Sequence, residues 1–412
     1  MIPIVVLGLV LLLIAVRQLG PVKFQIWQVM AGGALAVLLS GSIRPLDALR
    51  AVNWEVMLFL FSMFLIGAAL EESGYLARLA YLLFCRARTR DQLLLVILFG
   101  FGLLSALLMN DTLAIVGTPV VLLMAERHRI NARALLIALA FAVTIGSAAS
   151  PLGNPQNFLI ATEAAISSPF VVFFRMLLIP TLLNLLVAFG MLKLFYREHF
   201  NNTVLNHCAE EISDSHLARL ARLALILLAG LILIKIVAGL FSAGPEPKLV
   251  YITVIAALPI LIFSPRRLEL VRKVDWHTLI FFAAMFILMA SVWQTGFFQS
   301  LIGQLELNLR SLPVIMVVSV LLSQLISNVP LVALYLPILL ENGVSDRALM
   351  ALAAGSTIAG NMLIMGAASN VIIIQNAERR SGETITLIDF ARIGIPLTLL
   401  NGLVYLGFLY LF

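Results

Sequence analysis

"MNDTLAIVGTP", residues 109–119, puts an acid into a run that otherwise looks lipid-soluble. Asp91 is the nearest charged residue before Asp111 and Glu126 the nearest after it; everything else between them is uncharged and mostly apolar. A run of that length reads as helix buried in a membrane, where an ionisable group is a functional candidate by default. Asn110 and Thr112 flank the acid, and all three residue types favour the start of a helix over its middle. The segment 92–126 is therefore read as two helical arms broken at Asn110-Asp111-Thr112.

The whole chain has the same character. Its 412 residues are 62% hydrophobic and 12% charged, with a mean hydropathy of +1.07; a soluble domain carries about 25% charged residues. Apolar runs of spanning length recur throughout, and the longest polar stretch, near 198–216, is too short for a soluble domain. The net charge of +6 is read as basic loops at a membrane, not as a nucleic-acid surface. Cys85 and Cys208 give no disulfide framework, and His199, His207, Cys208 and His216 fit no standard metal-ligand spacing. The opening "MIPIVVLGLVLLLIAV" lacks a basic leader region, so it is read as a first span with its N-terminus outside.

The chain also repeats itself. Arg44, Arg50, Trp54, Phe59, Met63 and Gly74 recur as Arg266, Arg272, Trp276, Phe281, Met285 and Gly296. "NDTLAIVGTP" from Asn110 matches "NVPLVALYLP" from Asn328, with asparagine and proline nine apart in both. "TIGSAASPLGNPQN" from Thr144 matches "TIAGNMLIMGAASN" from Thr357, which ends on Asn361, Ser369 and Asn370 among its polar residues. Three matches in one order make an internal duplication.

Spans are expected near 3–19, 22–41, 54–72, 132–164 and 169–196, then near 217–243, 248–264, 276–293, 346–376 and 390–411. Five crossings per half invert the second copy. The expectation is an all-α polytopic membrane protein of about ten transmembrane helices and two re-entrant hairpins, 92–126 and 312–341. The first repeat covers 1–200, a cytoplasmic linker 201–216, and the second repeat 217–412. With both termini outside, 20 of the 27 lysines and arginines fall on the cytoplasmic side and six outside, as the positive-inside rule requires. Lys235 falls within a span, either snorkelling or facing a cavity.

Each half then has two breaks. One is a hairpin tip, at Asn110-Asp111-Thr112 or Ser327-Asn328-Val329-Pro330. The other is an unwound stretch in a long helix, at Ser150-Pro151-Leu152-Gly153-Asn154-Pro155 or Gly366-Ala367-Ala368-Ser369. Helix starts at depth attract anions or polar oxygens, and freed carbonyls hold cations or hydrogen-bond donors.

The pairing of "NDT" with "GNPQN", and of "SNVP" with "GAASN", resembles the ion transporter superfamily, most of all its arsenite-permease and silicon-efflux branch. The divalent-anion/sodium symporters are more distant, and "NVP" departs from their serine-asparagine-threonine tips. The resemblance covers the chain after its first helix. It implies a carrier that moves a small anion or metalloid by alternating access, driven by protons or sodium and needing no other cofactor. The candidate substrate and ion ligands are Asn110, Asp111, Thr112, Ser150, Gly153, Asn154, Asn157, Ser327, Asn328, Asn361, Ser369 and Asn370. Structural roles compete with these: Asn110, Asp111 and Asn328 also suit helix caps, and Asn154, Asn157 and Asn370 suit bracing between helices.

An enzyme is disfavoured by the lack of an HExxH helix, of paired acids at depth and of a nucleophile–base pair. A continuous channel suits paired hairpins less well than a rocking site. The breaks contain one acid and no lysine or arginine, so a neutral or singly charged oxyacid, arsenite- or silicate-like, is the expected substrate. Proton-coupled export is the first expectation, and a sodium-coupled antiporter or symporter the alternative. Asp111 is the candidate coupling residue, because burial disfavours the carboxylate while the following helix start favours it. The expected setting is a prokaryotic inner membrane, with no nucleic-acid partner and a homodimer left open.

Overall fold

A computed structural model of the chain describes residues 2–16, 18–19, 22–23, 25–75, 78–79, 82, 87–198, 214–240, 248–297, 300, 311–343 and 345–411. Cys85, Cys208, His199, His207 and nearly all of the linker 201–216 lie outside the described residues. A two-residue strand pair, β1 (Gln18–Leu19) and β2 (Val22–Lys23), sits after the first helix. All other regular structure among the described residues is helical.

The helices come in one order twice. The first series is α1 (Ile2–Val16), α2 (Ile26–Leu39), α3 (Pro45–Ala51), α4 (Trp54–Glu72), α5 (Arg90–Leu108), α6 (Asn110–His128), α7 (Ala132–Ser147), α8 (Pro155–Glu163) and α9 (Pro169–Phe195). The second is α10 (Ser215–Leu240), α11 (Leu249–Phe263), α12 (Arg267–Lys273), α13 (Trp276–Trp293), α14 (Leu312–Ile326), α15 (Asn328–Glu341), α16 (Asp346–Met362), α17 (Ala368–Ser381) and α18 (Leu387–Leu409). Six described helices, α4, α5, α9, α10, α13 and α18, are long and apolar enough to cross a bilayer. Five shorter apolar helices lie within α2, α7, α11, α14 and α15.

Local sequence explains the boundaries. Asn53 and Asp275, equivalent residues of the two copies, each cap a span by accepting from the backbone three residues on, Val56 N at 3.0 Å and Thr278 N at 3.1 Å. Prolines open α3, α8 and α9, where their missing N–H costs nothing. α3 and α12 are amphipathic helices of seven residues that the hydropathy pattern does not mark, because their polar faces keep them out of any apolar run.

Three of the breaks are shifted from the sequence expectation, while the second hairpin turns at Ser327, inside its expected break. The chain turns at Met109 and Ser327, both at φ +68, and Asn110-Asp111-Thr112 and Asn328-Val329-Pro330 are the first turns of α6 and α15. A non-glycine residue in the left-handed half of φ space ends one helix and lets the next begin at once. The unwound stretch of the first half is residues 148–154. In the second half it runs from Leu363 to Ala367 and holds one 3₁₀ turn, Ile364–Gly366, so Ser369 belongs to α17.

The helices fall into two packed groups. α7 and α16 are buried on every side and cross each other; around them lie α5, α6, α8 and α9, and α14, α15, α17 and α18. The other group is α1–α4 with α10–α13. Fewer contacts join the groups; one is the stack of Phe59 (α4) on Phe158 (α8), 4.1 Å between ring centres. α4 fixes the direction of the broken helices. At its start, Asn53 hydrogen-bonds Glu163, the last residue of α8; near its end, Glu71 pairs with Arg380 in the last turn of α17 at 3.6 Å. α8 and α17 therefore finish at opposite ends of α4.

Candidate functional site

In the first half the hairpin tip meets the unwound stretch. Asn110 N donates to Gly153 O at 2.9 Å, and Asp111 N donates to Asn110 Oδ1 at 2.9 Å. Arg90 donates to His128 O at 3.0 Å, so the two arms of the hairpin begin and end on one side. Thr112 faces α4, where Gly67 makes room: a Cβ there would stand 2.5 Å from the Thr112 methyl carbon. Gly153 is held still more closely, since its Cβ would stand 2.1 Å from Ser147 O. Any side chain at Gly153 would push the break away from the end of α7.

The asparagines of the first break act mainly as braces. Asn157 Nδ2 donates to Ser150 O at 3.0 Å and to Ser147 O at 3.2 Å, satisfying carbonyls freed where α7 ends. Asn154 Oδ1 accepts from Asn157 N at 2.8 Å, and its Nδ2 reaches Ser147 Oγ and Thr357 Oγ1, both at 3.1 Å. Asn154, a candidate both as ligand and as brace, thus has both ends of its amide engaged within the protein. Ser150 Oγ accepts from Leu152 N at 3.2 Å. Asn157 keeps one atom free of protein partners, its buried Oδ1.

The second half repeats the plan with fewer internal bonds. Asn370, the mate of Asn157, donates to Gly360 O at 2.6 Å and leaves its Oδ1 unpartnered. Asn328 Oδ1 and Ser369 Oγ, each in the first turn of a helix, are also buried without a protein partner. Gln324 of α14 donates to Ala359 O at 2.8 Å and lies against Gly366, tying the second hairpin to the second break. Ser327 is half-buried at the turn itself. Asn361 is directed elsewhere: its amide donates to Asn401 of α18 at 3.2 Å.

The halves exchange partners. α17 packs on α6 and α8 packs on α15, so each post-break helix lies against the other copy's hairpin. Thr357 is the direct polar link, accepting from Asn154 and, at 3.5 Å, from Gln156. Thr144 sits where Gly360 lets α7 and α16 come together, and its hydroxyl is buried and unpartnered. The four helix starts and the breaks before them carry amide and hydroxyl oxygens, with no lysine or arginine in any of the breaks. Asp111 is 4% exposed, and its carboxylate makes no hydrogen bond or ion pair with a described residue. Gln324, Thr357 and Ser147 belong to this arrangement although hydropathy does not single them out; a lone glutamine in the apolar run 312–326 was the visible signal for Gln324.

Known proteins agree with this architecture. The chain is 30% identical over 370 residues to a 46 kDa membrane protein of Mycobacterium leprae, covering 85% of this chain and 84% of that one. It is 26% identical over 433 residues to the silicon efflux transporter LSI3 of Oryza sativa subsp. japonica, covering 89% and 88%. The fold is shared with the YdaH transporter of Alcanivorax borkumensis, at a TM-score of 0.55 and 17% identity, over 100% of this chain and 96% of that one. Residues 9–346 match the citrate transporter family. The chain belongs to that family, within the ion transporter superfamily, and is a membrane transporter rather than an enzyme.

Proposed function

We propose that the protein is a secondary active transporter of a small inorganic anion or metalloid oxyacid, arsenite- or silicate-like, which it exports by alternating access coupled to protons. The observation that carries this reading is the chemistry of the breaks. Buried oxygens of Asn157, Asn328, Asn370 and Ser369 lack protein partners, and no basic side chain stands among them. Such oxygens suit the hydroxyl groups of a neutral or singly charged oxyacid. A multiply charged anion would depend on helix starts worth only about 0.3–2 kcal/mol each.

The route follows from the hairpins. The first tip meets the break of α7–α8, and α8 runs on beyond it to the start of α4. The hairpin is thus read as re-entrant, and the opposite endings of α8 and α17 on α4 support inverted repeats. Sparse packing between the two helix groups suits movement of the group that carries the breaks against the other. The ion pairs Lys273–Glu72 and Arg380–Glu71 lie on the side that the excess of lysine and arginine makes cytoplasmic.

Sodium coupling is the second reading, favoured by the amide oxygens of Asn328 and Asn370, which suit a hard cation. Everted vesicles loaded in turn with arsenite, silicate, phosphate and citrate, under a pH gradient or a sodium gradient, separate the two. Proton-driven arsenite or silicate movement supports the proposal. Movement of citrate alone, or movement driven only by sodium, overturns it.

A further inference from the structure

The two copies hold their post-break helices differently. In the first half α8 lies on α4. Asn53 Nδ2, at the start of α4, donates to Glu163 Oε1 at the end of α8, and Phe59 stacks on Phe158 at 4.1 Å between ring centres. The repeat carries each of these positions over. Trp54 recurs as Trp276 and Asn157 as Asn370, so the mates of Asn53 and Phe59 are Asp275 and Phe281, and those of Phe158 and Glu163 are Val371 and Asn376. No hydrogen bond joins Asp275 to Asn376, and α17 packs less on α13 than α8 does on α4. Phe281 stands edge-on to Phe282, 5.4 Å between ring centres. The last turn of α17 is held by α4 instead, through Arg380 and Glu71 at 3.6 Å. The hairpins, by contrast, are alike: α6 packs on α4 and α15 on α13.

The pair that does not meet is chemically complete. In the first half an amide at the start of a span donates to a carboxylate on the post-break helix. In the second half the roles are exchanged, Asp275 supplying the carboxylate and Asn376 the amide. Asp275 accepts from Thr278 N at 3.1 Å and Thr278 Oγ1 at 2.6 Å, and a carboxylate has room for further donors. Asn376 is half-buried and makes no hydrogen bond with a described residue. The exchange thus keeps one donor–acceptor pair in each copy, made in one and open in the other. An inverted repeat gives such a difference a use, because trading the conformations of its two copies moves the opening from one membrane face to the other.

We propose that Asn53–Glu163 and Asp275–Asn376 are alternate latches of the transport cycle. The first is closed in this structure. The second closes, bringing Phe281 against Val371, as the first opens. The proposal rests on the alternating-access reading and not on the identity of the substrate. α8 and α17 finish at opposite ends of α4, so the two latches stand at opposite membrane faces. Each ties the group that carries the breaks to the other group through a single side-chain bond, which biases one state without locking it.

The test uses the full chain in proteoliposomes, in a background without Cys85 and Cys208. Asn53→Cys with Glu163→Cys should cross-link readily under mild oxidation. Asp275→Cys with Asn376→Cys should cross-link in a minority of molecules. Adding Glu163→Ala to that second pair should raise its yield about two- to tenfold, the change in equilibrium that one hydrogen bond supplies. Because Asp275→Cys removes a helix cap, Phe281→Cys with Val371→Cys repeats the second measurement with both caps intact. The first cross-link should also stop the movement of whichever of labelled arsenite, silicate, phosphate and citrate the uncross-linked protein carries. If movement stops but neither second pair cross-links, alternating access stands and the latches are overturned. A second yield that ignores Glu163→Ala overturns them as well. Movement that continues through the cross-linked protein overturns alternating access itself, and the latches with it.

Discussion

The backbone N–H of Asn110 and the carbonyl of Gly153 are joined at 2.9 Å, which makes a hairpin tip and the break of a neighbouring helix one structural unit. Gly153 is held against the end of α7, where a Cβ would stand 2.1 Å from Ser147 O. Gly153→Ala should therefore displace the break, and the carbonyl that holds the tip, from the end of α7, costing about 1–3 kcal/mol of stability as overpacking does and lowering transport. Gly190→Ala, where nothing lies within 4 Å, is the control and should leave both unchanged. Thermal melts and uptake rates of the two variants check this.

The asparagines divide by what their amides already hold. Asn157→Ala removes donors from carbonyls at the end of α7 and should lower Tm, by an amount corresponding to about 1–3 kcal/mol for groups left buried and unpaired. Asn328 has no protein partner at its Oδ1, so Asn328→Ala should keep Tm and weaken substrate binding. Asn157→Ala also removes one of the free oxygens and should weaken binding as well, so titration of both purified variants with arsenite or silicate, beside their melts, separates the bracing role from the ligand role.

Much of this arrangement is legible in the sequence, and the exceptions have physical causes. The hairpin at 92–126 announces itself because Asn110, Asp111 and Thr112 interrupt an apolar run. The turn is nonetheless at Met109, since nothing about a methionine signals a positive φ. α3 and α12 escape notice because short amphipathic helices leave no run of hydropathy. The roles of Asn154 and Asn157 are tertiary: their partners include Thr357, 203 positions from Asn154, and carbonyls that exist only once α7 has stopped. Thr-Leu-Leu-Asn stands at both 181–184 and 398–401, and only the packing of α9 on α18 brings Asn184 within 3.4 Å of Asn401 O.

A charged cluster where α12 meets the end of α4 gives a pH signature. Hydrogen bonds from Arg266 and then Lys273 hold the Glu269 carboxyl down to about 2, from an ordinary 4.5. A carboxyl lowered on folding stabilises the fold above its unfolded value, and the contribution is lost as pH falls from 4.5 toward about 2. Glu269→Gln should flatten Tm against pH across that window and leave neutral pH almost unchanged. The effect is small, because the group is exposed, and it should shrink further in high salt.

Orientation can be read directly. Lys248 pairs with Glu55 at the start of α4, and Arg267 lies at the opposite end of α11. In a background without Cys85 and Cys208, Lys248→Cys should react with an impermeant maleimide in intact cells and Arg267→Cys should not. The reverse pattern would invert the proposed topology.

The most direct test of the account is Asp111→Asn in proteoliposomes. Asp111 is the one acid in the four breaks, is almost wholly buried, and opens the helix that begins at the hairpin tip. Asparagine keeps its shape and much of its capping ability but cannot carry a proton. The account predicts that the variant loses accumulation driven by a pH gradient while exchange of labelled for unlabelled substrate continues. Gradient-driven accumulation at the wild-type level in Asp111→Asn would contradict it.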